Sequence, residues 1–344
     1  MEVDAAKLSS MGAFSKVKTL GKGSYGSAVL CTSKYDRRNY VIKLIDTSNL
    51  SRSEIEGAKR EASLLRSLHH PNIVRYHASF SEKKWFCIVM EHCDGGDLHQ
   101  KLQARKKRRT PALLSEAEVL NVFVQLVLGL KHVHDSVILH RDLKSQNVFL
   151  NRQGRVKLGD FGIAKRLDST MAMAKTQIGT PFYLSPEICK DEPYNKKTDV
   201  WSLGCLLHEM CTLAVPFTAK SMAALVRVIM NSPPPALPRT FSRPLTALVK
   251  LLLEKDHRRR PSINDVLNVP IVRAHMAKLT AETLGRSSGG GSRPASAERA
   301  RAPAAQRERD HARARAPAPT PREDARERAR APPREAPRAA QAAR

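Results

Sequence analysis

The sequence predicts an α+β protein of two unequal lobes, a small sheet-rich one followed by a larger helical one, with a disordered C-terminal tail. Three observations carry that expectation. Residues 14–90 hold β-rich runs at 40–45 and 86–90 around one helical stretch at about 54–68; β-branched and aromatic runs bounded by turn residues read as strands. Residues 95–280 are mainly helical in pattern. The clearest helix opens with Ser115 and Glu118 at capping-box spacing, then sets Val119, Phe123, Leu126, Val127, Leu130 and Val133 on one face. From Gly285 to Arg344 there is no Val, Ile, Leu, Met, Phe, Trp or Tyr, but fifteen Arg, seven acids and eight Pro, a net +8 of the chain's +26. Such a segment has too little apolar surface to offset an ordering entropy of roughly 1–2 kcal/mol per residue.

Composition narrows the class. Hydrophobic residues make up 41% of 344, close to the globular norm, so most of the chain is expected to bury a core. The basic excess excludes an acidic, self-repelling chain. Cys31, Cys87, Cys93, Cys189, Cys205 and Cys211 lack a metal-ligand spacing and read as reduced thiols. No apolar run approaches the roughly 18 residues of a membrane span, and residues 1–14 lack an apolar h-region. A soluble, cytoplasmic protein without membrane attachment is expected.

Gly21-Lys22-Gly23-Ser24-Tyr25-Gly26 spells G-x-G-x-x-G. A dinucleotide-binding turn is one reading, and Asp46 stands about twenty residues on, where such a fold places an acid. That reading needs a helix at the third glycine. Instead a β-rich run at 27–32, turn residues at 35–39 and the run at 40–45 predict strand, turn, strand. A glycine hairpin lets backbone amides close over phosphates without a Cβ in the way; an ordinary three-glycine turn is the plain alternative. Lys43 reads as a solvated strand end unless an acid holds it over the glycines. Glu61 is the candidate, on a helix whose Ala58, Leu64, Leu65 and Leu68 mark a buried side.

Farther on, His140-Arg141-Asp142-Leu143-Lys144-Ser145-Gln146-Asn147 leads into Val148-Phe149-Leu150, a polar turn, and Val156-Lys157-Leu158 before Asp160-Phe161-Gly162. With the glycine loop, Lys43 and Glu61, these segments resemble the eukaryotic-type protein kinases over about residues 14–275. The resemblance implies a two-lobed kinase fold: N-lobe at about 14–90, hinge at 91–97, C-lobe at about 98–275, and a basic tail at 285–344. It implies transfer of the ATP γ-phosphate to hydroxyls of protein substrates. Asp142 would orient the incoming hydroxyl and Lys144 neutralise the moving phosphoryl group. Asn147 and Asp160 would offer hard oxygen ligands to Mg2+, with Mn2+ as a substitute. Lys43, braced by Glu61, would hold the α- and β-phosphates beneath the loop from Gly21 to Gly26. Ala28 and Val29 are placed in the nucleotide pocket, with Met90 at its rear. The Glu91 and Cys93 backbones would bond adenine, and Asp97 would contact ribose. For Met90 and Cys93, plain core packing fits the sequence equally well.

Arg141 before Asp142 is the pattern of kinases switched on by phosphorylation, with Thr176 or Thr170 as the acceptor and Thr176 preferred for lying four residues before Thr180. Ser185-Pro186-Glu187 closes that segment, with Arg260 as the expected partner of Glu187, and Asp199 and Trp201 match the helix that braces the loop. Ser145-Gln146-Asn147 in place of the commoner Pro-Glu-Asn, with the stretches 158–164, 178–189 and 205–213, resembles the NIMA-related (Nek) kinases in particular. That implies serine/threonine specificity and cell-cycle, microtubule or ciliary work. Ile163 hints at threonine over serine. Tyr76 falls at a spine position of the fold. It reads either as a buried ring with its hydroxyl satisfied or as a regulatory hydroxyl bonded near Asp160 in an inactive state.

Arg105-Lys106-Lys107-Arg108-Arg109 reads as a solvated loop, or as a nuclear-import signal or anionic docking patch. The tail reads as compositional drift, or as a weak, salt-sensitive ligand of microtubules or nucleic acid; without interleaved aromatics, base stacking is unsupported. No heptad repeat supports a coiled-coil dimer. Cytoskeleton, cilium and nucleus stand as alternative locations.

Overall fold

A computed structural model of the chain describes residues 4–23, 26–161 and 181–288. Ser24, Tyr25, Thr170, Thr176 and the tail beyond 288 lie outside the described residues, as does the side chain of Glu61.

Five antiparallel strands form the first sheet: β1 (Phe14–Gly23), β2 (Gly26–Ser33), β3 (Asn39–Asp46), β4 (Tyr76–Glu82) and β5 (Trp85–Glu91), in the order β1-β2-β3-β5-β4. Their register decides what each face offers. Ala28 pairs with Lys43 and Lys43 with Ile88, so these side chains share one face. On that face α1 (Arg52–Ser67) packs Ala58 and Ala62 against Ile45, Phe86 and Ile88. One residue along each strand, the side chain turns to the opposite face. Val29, Ile42, Cys87 and Val89 build a second core there with Phe14 and Tyr40. Leu8, from the 3-10 turn Ala5–Leu8, is fully buried in it. Residues 4–13 therefore cover the outer face of the sheet, and Met11 N–H donates to Glu82 Oε2 (2.9 Å).

The second lobe is helical: α2 (Leu98–Lys106), α3 (Glu116–Asp135), α4 (Pro186–Cys189), α5 (Lys196–Thr212), α6 (Met222–Asn231), α7 (Arg243–Leu252), α8 (Ile263–Asn268) and α9 (Pro270–Ser288). A two-stranded ladder, β6 (Val148–Leu150) with β7 (Val156–Leu158), lies among them. The capping box of α3 forms as spaced: Glu118 N–H donates to Ser115 Oγ (3.3 Å) and Ser115 N–H to Glu118 Oε2 (2.8 Å). Its whole predicted stripe is buried. Helix α5 is buried all round from Thr198 to Cys211, so it carries no amphipathic period. Arg105 belongs to α2, not to a loop, and its guanidinium bonds Glu118 (2.6 Å) and Leu113 O (3.0 Å). Helix α9 continues to Ser288, so the tail expected from 285 begins inside a helix; the good helix formers Ala281, Glu282 and Leu284 carry it toward the glycines at 289–291. Among the described residues no helix is long and apolar enough to cross a membrane.

The lobes meet where residues 72–74 run beside β7. Val74 N–H donates to Leu158 O and Leu158 N–H to Asn72 O, each at 2.8 Å. The Asn72 side chain reaches Val156 O (2.9 Å) and Gln125 (3.1 Å) on α3. Gly129 makes that approach possible, since a Cβ there would stand 2.8 Å from Asn72 O.

Candidate active site

Residues 140–147 form a loop between α3 and β6, and its first half hangs from Asp199 on α5. The Asp199 carboxylate, fully buried, accepts the N–H groups of His140 and Arg141 (3.0 Å each), His134 Nε2 (2.8 Å) and the Tyr194 hydroxyl (2.5 Å). Burial alone would raise its pKa, but the bond from His134, the nearby His140 and the bond from Tyr194 hold it below the ordinary carboxylate range. Arg141 takes φ 63°, the left-handed region, which turns the chain between the two anchored amides and Asp142.

Asp142 then meets two partners from its own loop. Lys144 Nζ lies 3.0 Å from Asp142 Oδ2, and Asn147 Nδ2 donates to the same oxygen (2.9 Å) and to Asp142 O (2.7 Å). The backbone extends the link to Asp160, because Gly159 N–H donates to Asn147 O (3.0 Å). Asp160, at φ 49°, puts Oδ1 3.6 Å from Lys43 Nζ on β3. The predicted polar side chains thus form two contact groups, Lys43 with Asp160 and Asp142 with Asn147 and Lys144, linked through the Gly159–Asn147 backbone bond. Glu61 lies on α1, its side chain outside the described residues.

Phe161 packs on His140 (ring centroids 4.6 Å apart) and among Leu65, Leu68 and Ile73, with the Tyr76 ring against the same cluster. The Tyr76 hydroxyl donates to Ser79 Oγ (2.9 Å) and not to Asp160. That is the arrangement of the satisfied-ring reading. The reason is local. A register shift between Tyr76 and Ala78 turns the strand, so residues three apart reach the same side.

The nucleotide-side residues sort by strand face. β1 and β2 form the expected hairpin, with Gly21 opposite Ala28, Lys22 opposite Ser27 and Gly23 opposite Gly26. Gly26, at φ 151°, has no substitute: a Cβ would lie 1.8 Å from Leu44 O. Ala28 stands across from Lys43 on the inner face. Val29 does not join it. It is buried in the outer core, on the far side of the sheet, so its assignment to the pocket was one residue out of phase. Met90 packs toward α1 at the sheet's inner edge. The Glu91 carboxylate takes Lys157 Nζ (2.7 Å) and Arg75 N–H (3.2 Å), tying the segment between the lobes to β7. Burial pushes the Cys93 thiol up to about 12, so it stays protonated at neutral pH. Asp97 caps α2 through Gln100 N–H (2.7 Å).

The protein kinase domain family model matches residues 14–272. The chain belongs to the protein kinase family. Serine/threonine-protein kinase Nek1 of Mus musculus is 46% identical over 275 residues, 80% of this chain and 22% of that protein. Serine/threonine-protein kinase Nek5 of Homo sapiens is 46% identical over 276 residues, 80% of this chain and 38% of that protein. Serine/threonine-protein kinase Nek4 of Mus musculus is 41% identical over 277 residues, 80% and 34% respectively. The chain thus spans well under half the length of these curated relatives. All three are NIMA-related kinases, the branch that Ser145-Gln146-Asn147 resembles.

A protein kinase domain implies ATP and a divalent cation, and the donors fit both. Asp160 is 47% exposed, and Asn147 uses its amide nitrogen on Asp142 while keeping its oxygen as an acceptor. Hard oxygens of this kind suit a cation that keeps water and phosphate ligands. Glu187, at the end of the segment beyond 181, forms a bidentate pair with Arg260 (2.7 and 2.9 Å), both fully buried. Burial works against ionisation of Glu187, yet the Arg260 guanidinium holds its carboxyl below the usual range. Sequence reasoning missed Tyr183, Lys157 and Glu209, all of which bond residues of the site; Ser145 where Pro is commoner was the one available signal.

Proposed function

We propose that this protein is a serine/threonine kinase that transfers the γ-phosphate of ATP to hydroxyls of protein substrates, with Mg2+ as its cation and Mn2+ as a substitute. The observation that carries the reading is the pair of contact groups, Lys43 with Asp160 and Asp142 with Asn147 and Lys144, held together by the Gly159–Asn147 backbone bond. Asp142 accepts a hydrogen bond from the incoming hydroxyl and aims its oxygen at phosphorus. Lys144, held on Asp142 before substrate arrives, is placed to share the negative charge that moves during transfer. Lys43 binds the α- and β-phosphates. Asn147 and Asp160 would hold the cation, which neutralises phosphate charge when bound.

The test is phosphate incorporation into a generic protein substrate by the purified chain. Asp142→Asn should cut the rate by several powers of ten, each about 1.4 kcal/mol of barrier, while nucleotide binding persists. Transfer that survives this substitution, or a parent chain that binds ATP without transferring it, would leave a scaffold in place of an enzyme.

Activation by phosphorylation of Thr176, with Thr170 as the alternative, belongs to the same reading. Arg141 is exposed beside Asp142, where a phosphate of about −1.5 to −2 charges would find a partner. Thr176→Ala should lower activity; an undiminished rate with no phosphate at that position would remove the idea. For residues 285–344 the proposal is weak anchorage to microtubules or nucleic acid, lost on tail deletion at low salt. Cell-cycle or ciliary work and a cytoplasmic location follow the NIMA-related branch.

A further inference from the structure

We propose that Ser145 is a positioning residue for phosphoryl transfer, tying the catalytic loop to Tyr183 and to the buried carboxylate of Glu209. The inference rests on the kinase reading above.

Asp199 secures only the first half of loop 140–147. The second half has its own anchor, farther along the same helix α5. Ser145, 1% exposed, donates its hydroxyl to Glu209 Oε1 (3.1 Å) and its N–H to the Tyr183 oxygen (3.2 Å). The Tyr183 hydroxyl donates to Glu209 Oε2. From α2, His99 Nδ1 stands 3.3 Å from Ser145 Oγ and 3.8 Å from Glu209 Oε1. Two hydroxyls from two different segments therefore occupy the two oxygens of one buried carboxylate.

The placement of Ser145 gives that anchor its consequence. Ser145 opens the one-turn helix Ser145–Asn147. Lys144 on one side of it and Asn147 at the end of the turn are the two side chains that hold Asp142 Oδ2. A shift of Ser145 moves Lys144 and Asn147 together. Proline, the commoner residue at this place in the resemblance, has neither the hydroxyl nor the N–H and would make neither bond. Tyr183 belongs to the segment that continues into Ser185-Pro186-Glu187, so Ser145 also makes the loop sense whether that segment is seated. Lys43, the proposed phosphate group, is held on β3 of the other lobe, so its contact with ATP should change less than the aim of Asp142.

The experiment measures kcat, the KM for ATP and the melting midpoint of the full chain on a generic protein substrate, for the parent, Ser145→Ala, Ser145→Thr, Tyr183→Phe and the Ser145→Ala/Tyr183→Phe pair. Losing one hydrogen bond to a charged group should lower kcat of Ser145→Ala about tenfold, with the KM for ATP within about twofold. Ser145→Thr keeps hydroxyl and N–H and should recover to within about threefold of the parent. The double variant should lose less than the product of the single losses, since both act on Glu209. An active parent whose Ser145→Ala form keeps its kcat overturns the inference alone. So does a loss shared by kcat and KM with a lowered melting midpoint and no rescue by Thr, which is general destabilisation. An inactive parent overturns the kinase reading and this inference with it.

Discussion

Asp199 and Glu209 lie on one buried helix and hold the two halves of one loop, but they are solvated by different things. Asp199 receives two backbone N–H groups, an imidazole and a phenol, and stays below the ordinary carboxylate range. Glu209 receives two hydroxyls, with His99 at the edge, and burial drives its pKa up despite them. The backbone amides at Asp199 are already oriented and lose nothing on being used, whereas hydroxyls replace water less completely. One end of the loop is thus fixed by a charge that the fold stabilises, the other by a carboxyl that the fold tolerates. The first is insensitive to side-chain exchange in the loop, the second depends on which residue stands at 145.

Removing the stabilised charge should have the largest effect. Asp199→Ala strands the N–H groups of His140 and Arg141 in the interior and should cost about 3–5 kcal/mol in a urea unfolding titration. The same substitution frees Asp142 from its upstream fixed point, so phosphate transfer should fall at least about a hundredfold in the residual folded protein. A loss under about 1 kcal/mol would mean that water replaces the carboxylate, and that burial there is less complete than the contacts imply. Arg260→Ala tests a second stabilised carboxylate of the same lobe, Glu187, and should cost a similar about 3 kcal/mol, because it leaves that charge buried and unpaired.

Glu209→Gln comes next, and its sign depends on pH. For Asp199 and Glu187 the folded pKa is lowered, so their stabilisation is present above the unfolded value of about 4 and is lost as pH falls. For Glu209 the folded pKa is raised, so its contribution is most favourable below about 4.3 and is lost as pH rises. Relative to the parent, Glu209→Gln should therefore gain stability as pH rises above about 4.3, while Asp199→Asn should lose it as pH climbs toward about 4. Melting curves taken on both sides of about pH 4 should show, as pH rises, the Asp199→Asn loss growing below that value and the Glu209→Gln gain growing above it. Parallel slopes would mean that the two carboxylates do not differ as described.

The same contrast separates what the amino-acid order disclosed from what it hid. Local rules were legible: the Ser115–Glu118 cap, the hairpin around Gly26 and the buried stripe of α3 are properties of a few neighbouring residues. The Glu187–Arg260 pair came through resemblance, not spacing. Ser145 with Glu209 did not come through at all, because the partners are 64 residues apart and Glu209 lies on a helix buried on every side, where no apolar period singles out a polar position. Val29 was misplaced for the opposite reason. Adjacent strand residues face opposite ways, so an error of one position moves a side chain from the nucleotide face to the outer core. Leu8 shares its core with Met11 and Ala13, and a stretch this short shows no period to read.

The smallest predicted effect lies just before the anchored loop. Val137, between α3 and His140, is a β-branched residue at φ 59° with 84% of its surface exposed. It gains little from burial and sits where an L-residue pays roughly 1–2 kcal/mol for close approach of Cβ to the carbonyl. Arg141, three positions past Ile138, is also left-handed, but its N–H is bound to Asp199 and the turn it makes aims Asp142. If the loop's conformation is set by Asp199 and not by the run-in, Val137→Asn should raise stability by roughly 1 kcal/mol and leave kcat unchanged. A stabilised variant with altered kcat would instead place part of the loop's geometry in the strain at Val137, and the two-anchor description would have to include a third point.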